Sequence, residues 1–200
     1  MRGAITALLT HGLGNLSYDH EAEKSGMSRQ LVRHYFPDQD ALMVDVCNYL
    51  ASLYQEPLIA AASSLEGPQR ISMFLDFYFD LLSDMPKPRD DQAYDAMMAA
   101  AAKSNNIRTT LSNQYGLLRQ VLGHEFLVQY PELDMQSANE LSFLFVSLMY
   151  GHWKMVASLG YSQEHNRVSR QAMDRLIGSY VESPSQLKDT VKIWSKELDG

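Results

Sequence analysis

An all-α fold is predicted for this chain by three observations. No stretch of its 200 residues alternates apolar and polar side chains long enough for a strand, and no Asn-Gly or Asp-Gly hairpin turn occurs. Apolar residues instead recur at helical spacing between Ser, Asp, Gly and Pro punctuation. Beyond Pro57 these periodic segments lengthen and are joined by short connectors. The expected architecture is about nine or ten helices without a sheet, divided into a small head (residues 1–47) and a larger body (residues 48–200).

Each element has a local reason. Ile5, Leu8 and Leu9 share a helical face, and Gly12-Leu13-Gly14 stops that helix. Ser17 can cap a second short helix to about Lys24, which Ser25-Gly26 ends. Ser28 can cap a third, closed by Phe36-Pro37. Asp38 then opens a fourth, because Pro37 cannot continue the previous helix and an Asp side chain accepts the orphan amides of a helix start. In the body the expected helices are Pro68–Asp84, Asp91–Ser104, Asn106–Tyr130, Gln136–Leu159 and Gln163–Val181, with a last set of turns from Gln186 to Leu198.

Composition narrows the classes further. Hydrophobic residues are 46% of the chain, enough for a sizeable core. The single cysteine, Cys47, excludes an internal disulfide and any Cys-rich metal site, and fits a reducing compartment. Only Arg2 precedes the short apolar patch Ala4–Leu9, which is too short for a secretory signal. No run approaches the roughly 20 apolar residues of a membrane span. A cytoplasmic protein without a membrane partner is expected. The net charge is −7. The first fifty residues carry Arg2, Lys24, Arg29 and Arg33 against Asp19, Glu21, Glu23, Asp38, Asp40 and Asp45, so any DNA affinity depends on where a few bases sit.

Two short helices joined by a three- to four-residue turn containing Gly form a helix-turn-helix pattern. Here the pair is Ser17–Lys24 and Ser28–Tyr35 around Ser25-Gly26-Met27. Gly26 supplies the backbone freedom of the sharp turn. Ala22 is small enough for close contact, and Met27, Leu31 and Val32 can fill the junction. Arg29, Gln30, Arg33 and His34 then lie outside, where they can reach phosphates or base edges. A helical hairpin with solvated charges has the same spacing.

The run Ala22-Glu23-Lys24-Ser25-Gly26-Met27-Ser28-Arg29-Gln30-Leu31-Val32-Arg33-His34-Tyr35-Phe36, followed by Pro37-Asp38-Gln39-Asp40-Ala41-Leu42, resembles the DNA-binding signature of the TetR family of transcription regulators. Ala22, Gly26, Ser28, His34, Tyr35, Phe36 and Leu42 carry the match. The resemblance implies that Ser28 and Arg29 meet phosphate and that Gln30, Arg33 and His34 face the major groove. It also implies that Tyr35 donates its hydroxyl to a phosphate and that Ser17 anchors the preceding helix to the backbone. Phe36 would close a small core with Ile5, Leu9 and Leu16. The sequence departs from the family pattern at Glu21, usually apolar, at Arg33, usually Tyr, and at Gln39, usually Lys. Arg33 offers a bidentate contact to guanine in return.

From Leu141 to Trp153 the chain carries no formal charge. A helix apolar all round is buried on more than one side, by its own core and, being too short for a bilayer, by a second subunit. Val168, Ala172, Leu176, Ile177 and Tyr180 recur at helical spacing on the next helix. Together they resemble the family's four-helix dimer interface, with Leu141, Phe145, Leu148, Met149, Leu176, Ile177 and Tyr180 as candidate contacts. The alternative is the core of a monomer. The body is also rich in Met and aromatic residues, ordinarily core material. The resemblance implies a small-molecule cavity among them, with Tyr78, Tyr94, Tyr115, His152 and Trp153 as candidate ligand contacts.

Catalysis has no support in the sequence. His124-Glu125, His20-Glu21 and His20-x-x-Glu23 lack further ligands at metal spacing. Gly12-Leu13-Gly14 has no third Gly or preceding strand, so it is no nucleotide loop. No Gly-x-Ser-x-Gly occurs, and Cys47 lies in an apolar run without an evident base. No cofactor, metal or catalytic residue is expected. The reading is a homodimeric, ligand-responsive DNA-binding regulator, most simply a repressor released from a palindromic operator by a small-molecule effector. The alternatives are a ligand- or protein-binding module of the same fold with weakened DNA binding, and an unrelated all-α enzyme.

Overall fold

The computed structural model describes Asp19, residues 22–23, Gly26 and residues 28–64, 67–87 and 91–186. Among them are seven α-helices and no strand: α1 (Arg29–Tyr35), α2 (Gln39–Ser64), α3 (Gly67–Tyr78), α4 (Asp91–Ala101), α5 (Asn105–Gln129), α6 (Met135–Trp153) and α7 (His165–Glu182). The expected first helix, Ser17, Met27 and the turns beyond Gln186 lie outside the described residues.

Capping chemistry sets the helix starts. Ser28 holds an extended backbone ahead of α1, and its Oγ accepts the Leu31 N–H at 3.2 Å. Asp38 Oδ1 accepts the Ala41 N–H at 2.7 Å at the start of α2. Asp134 Oδ1 accepts the Ser137 N–H at 2.7 Å ahead of α6. Gly26 has φ +68°, a left-handed conformation that suits glycine at the turn before α1.

Several expected boundaries move. α2 runs through Pro57 to Ser64; a proline deletes one backbone donor, and the bonds on either side carry the helix past it. α3 ends at Tyr78 rather than near Asp84, where Phe79 and Asp80 turn the chain and Asp80 takes φ +56°. α6 stops at Trp153 and passes into a π-helical turn, Lys154–Ser158, closed by the Leu159 N–H to the Lys154 carbonyl at 3.1 Å. Gly160, at φ +74°, ends that turn.

The chain forms two compact units, whose boundaries fall within α2, in the connector between α3 and α4, and within α5. The first comprises residues 1–56 and 88–114, the second residues 57–87 and 115–200. The division differs from a cut after residue 47, because Cys47 and Leu50 pack in one core with Met97. In the first unit, Leu42, Met43, Val46, Cys47 and Leu50 of α2 form one buried face. Ala93, Met97 and Ala101 of α4 and Ile107 and Leu111 of α5 complete that core, and Phe36 packs against it. The second unit buries Phe74, Phe77, Tyr78, Phe126, Phe145, Met149, Met173 and Ile177 among others. Two ion pairs brace it: Arg70 Nε to Glu125 Oε2 at 2.9 Å links α3 to α5, and Arg170 Nε to Asp76 Oδ1 at 2.7 Å links α7 to α3.

Candidate nucleic-acid interface and effector core

α1 has a single inward residue. Val32 is fully buried, whereas Arg29, Gln30, Arg33, His34 and Tyr35 are all exposed, Tyr35 at 64%. Leu31, expected to fill the junction, is instead 42% exposed. In a seven-residue helix only one side can meet the core, and Val32 and the following Phe36 occupy it. His34 and Tyr35 meet edge to face, with ring centroids 5.7 Å apart. Arg29 Nε lies 2.9 Å from Asp19 Oδ1. Part of its charge is therefore answered within the chain, which the run of sequence did not announce. Ser28 Oγ accepts for the cap, which leaves its hydroxyl proton to donate elsewhere.

Asp40, in the first turn of α2, accepts the Ser104 hydroxyl, and Ser104 Oγ in turn accepts the Ile107 N–H at 3.3 Å. This ties the α4–α5 corner to the base of the segment that follows α1. A depression of about 350 Å³ opens there, lined by Asp40, Met43, Lys103 and Ser104 among others.

Four of the five candidate ligand contacts fall in the second unit. Tyr78 and Trp153 stack at 25° with centroids 6.5 Å apart, and Trp153 Nε1 donates to the Tyr78 carbonyl at 2.9 Å. Phe145 meets the Tyr78 edge at 5.5 Å. Burial, reinforced by the nearby Tyr115, raises the Tyr78 phenol well above its usual range, so it acts there as a neutral hydroxyl. His152 is buried, with Nε2 2.9 Å from Asn166 Oδ1 and Nδ1 3.0 Å from Ser169 Oγ. The tautomer with the proton on Nε2 donates to the first and accepts from the second. Tyr94 belongs to the first unit, where it packs edge to face on Tyr54 at 6.1 Å.

Sequence reasoning missed Lys87, whose ammonium rests 3.8 Å from the Trp153 ring centroid, as well as Asn166 and Ser169 beside His152. Lys87 stood in a proline-bounded connector, and nothing in that local pattern signals burial.

The candidate dimer contacts need a correction. Leu141, Phe145, Met149 and Ile177 are 2% exposed or less within the single chain. Side chains enclosed by their own core cannot touch a second copy, so these four are core residues. Leu148, Leu176 and Tyr180 are half-buried. The Tyr180 hydroxyl donates to Glu140 Oε2 at 2.8 Å; burial first, and then that bond, push the phenol up to about 12. The outward rows are Phe143, Ser147 and Gly151 on α6, and Val168, Gln171 and Arg175 on α7.

No family model matches the sequence, and no curated protein does. Solved structures match through their shape. A TetR transcription regulator from Haloarcula marismortui superposes with a TM-score of 0.71 at 16% identity, covering 89% of this chain and 94% of its own. The chain has the TetR-regulator fold. A transcriptional regulator from Rhodococcus sp. follows with a TM-score of 0.70 at 17% identity, covering 90% of this chain and 93% of that one. A protein from Saccharomonospora viridis, described as a transcriptional regulator and solved with choline, also gives 0.70, at 15% identity over 92% of this chain and 93% of its own. The TetR fold accounts for the all-helical architecture. Among the described residues no helix is long and apolar enough to cross a membrane, and no group of three or more His, Cys, Asp or Glu could hold a metal ion.

Proposed function

We propose that this chain is a DNA-binding transcription regulator, paired as a homodimer, that releases a palindromic operator when a small molecule occupies its second unit. The observation that carries this reading is α1. It is short, capped and anchored by Val32, and it presents Arg29, Gln30, Arg33, His34 and Tyr35 to solvent. In this assignment Gln30, Arg33 and His34 read base edges, while Ser28, Arg29 and Tyr35, with Ser17 before them, hold phosphates. Two copies related by a two-fold axis place two such helices about one helical turn of DNA apart. Tyr78, Tyr115, His152 and Trp153 supply aromatic faces and polar atoms for an effector. The effector shifts the dimer away from DNA by its differential affinity for the two states. The related fold solved with choline supports a small-molecule role for the second unit.

In-vitro selection from a random DNA pool tests head and pairing together, since it should return an inverted repeat with a fixed half-site spacing. Arg33→Ala should then weaken the selected site by about 1–3 kcal/mol and relax specificity at one base pair. A pool that returns no enriched sequence, or an Arg33→Ala protein that binds as the parent does, refutes DNA reading by α1. A second reading is favoured by the Asp19–Arg29 pair and the acidic head: a ligand- or protein-binding module whose hold on DNA is weak. It predicts saturable effector binding without a salt-sensitive, sequence-selective DNA complex.

A further inference from the structure

The head is short of positive charge. Its first fifty residues hold Arg2, Lys24, Arg29 and Arg33 against six acids, and Arg29 is answered by Asp19 at 2.9 Å. A helix is held on DNA largely by cations that neutralise backbone phosphates. Further along the chain the balance reverses. Residues 96–124 contain Lys103, Arg108 and Arg119 and not one Asp or Glu. Lys103 and Arg108 lie at the α4–α5 corner, in the same compact unit as α1.

Local chemistry fixes that corner. The Lys103 and Ser104 N–H groups both donate to the Ala100 carbonyl, at 2.9 and 3.0 Å. Arg108 reaches back to the end of α4, where its Nε donates to the Ala101 carbonyl at 3.0 Å and its Nη2 to the Ala102 carbonyl at 3.3 Å. Arg108 therefore holds the turn. Buried Ser104 donates its hydroxyl to Asp40 in the first turn of α2. The Lys103 side chain differs from both. It is exposed, and among the described residues no carboxylate pairs with it. It lines the depression of about 350 Å³ together with Gln39 and Asp40. Gln39 stands four residues beyond Tyr35, the end of α1, so at most about 14 Å of chain separates them.

We propose that Lys103 is a DNA-backbone contact, a cation supplied by the α4–α5 corner that holds a phosphate flanking the groove read by α1. The proposal rests on the reading of α1 as the DNA-reading helix and adds to it a contact from outside the helix-turn-helix. Lysine carries a compact charge on a flexible stem, which suits a single anionic oxygen of a phosphate diester. Phosphates repeat along every duplex, so the contact positions the protein without discriminating sequence. The Ser104–Asp40 bond ties the corner to the helix that directly follows α1, so the cation is presented beside the reading helix.

The test measures binding of the full chain to its selected operator and to a scrambled duplex of equal length, by fluorescence anisotropy over a series of salt concentrations. Lys103→Gln should weaken both complexes by the same factor and reduce the slope of log K against log salt by about 1. Lys103→Arg keeps the charge and should keep the parent slope. Lys154→Gln removes an equal charge from the second unit and should leave the slope unchanged. A Lys103→Gln slope equal to the parent's overturns the proposal. An equal fall with Lys154→Gln also overturns it, since net charge rather than a contact would then set the slope. Loss on the operator alone makes Lys103 a base reader and overturns the phosphate assignment. In these outcomes the α1 reading stands or falls separately, on the selectivity of Arg33→Ala. If neither duplex forms a salt-sensitive complex, both readings fall.

Discussion

Cys47 shows how burial decides reactivity one side chain at a time. It lies in the core of the first unit, fully enclosed, with its thiol directed at the Met97 thioether. Burial pushes the thiol up to about 12, and its backbone hydrogen bond only partly counters this. Since the thiolate is the nucleophile, the folded protein at mildly alkaline pH should react with a thiol-specific reagent orders of magnitude more slowly than the denatured protein. Comparable rates would show an open path to Cys47. Gly26 makes the complementary point. A Cβ there would meet nothing within 4 Å, so the cost of Gly26→Ala is conformational rather than steric. At φ +68° it should amount to roughly 1–2 kcal/mol, read as a lower denaturant midpoint. Gly26, Ser28 and Asp38 were legible in the sequence because turn and cap chemistry acts over three or four residues. Lys87 was not, because its burial depends on a tryptophan face supplied from far along the chain.

Whole helices follow the same division between local and distant causes. The start of α6 was readable to within a residue, since Asp134 caps it and Pro131 precedes it. The Ser137 backbone N–H, first, and the Ser137 side chain hold the Asp134 carboxyl below the usual carboxylate range. A carboxyl lowered on folding contributes stability above its unfolded range, and that contribution is lost as pH falls through the folded value. Asp134→Ala should therefore cost about 1 kcal/mol at neutral pH. The gap to the parent should close as the medium is acidified below about pH 4. Denaturant midpoints of the two proteins at neutral and acid pH measure this, and a gap that does not change with pH would show that the carboxylate does not act as the cap. The end of α6 was not legible. Gln136–Leu159 reads as one continuous helix, and the shift to a wider turn at Lys154 is a change of backbone bonding that helical periodicity does not register.

At the scale of the whole molecule, the apolar stretch of α6 carried two meanings that sequence alone could not separate. An uncharged helix has one side for its own core and another left over, and periodicity does not say which is which. The structure assigns Leu141, Phe145 and Met149 to the inside and leaves Phe143, 41% exposed, in a row with Ser147 and Gly151; on α7, Val168 is 60% exposed. If the proposed homodimer pairs through these rows, the small residues Ser147 and Gly151 would permit close helix approach and Phe143 and Val168 would provide the apolar area to cover. Pairing through these rows therefore makes a prediction that separates interface from core. Phe143→Glu should leave helicity and thermal stability near the parent's, because the new carboxylate reaches water in the single chain, yet convert dimer to monomer by light scattering. It should also abolish operator binding, because a single head loses the second half-site and with it the gain from effective concentration. Leu141→Glu, in contrast, buries an unpaired charge and should unfold the protein outright. A Phe143→Glu protein that stays dimeric moves the proposed pairing to another surface. If it is monomeric but binds the operator as tightly as before, then one head suffices and the two-fold arrangement is not what reads the DNA.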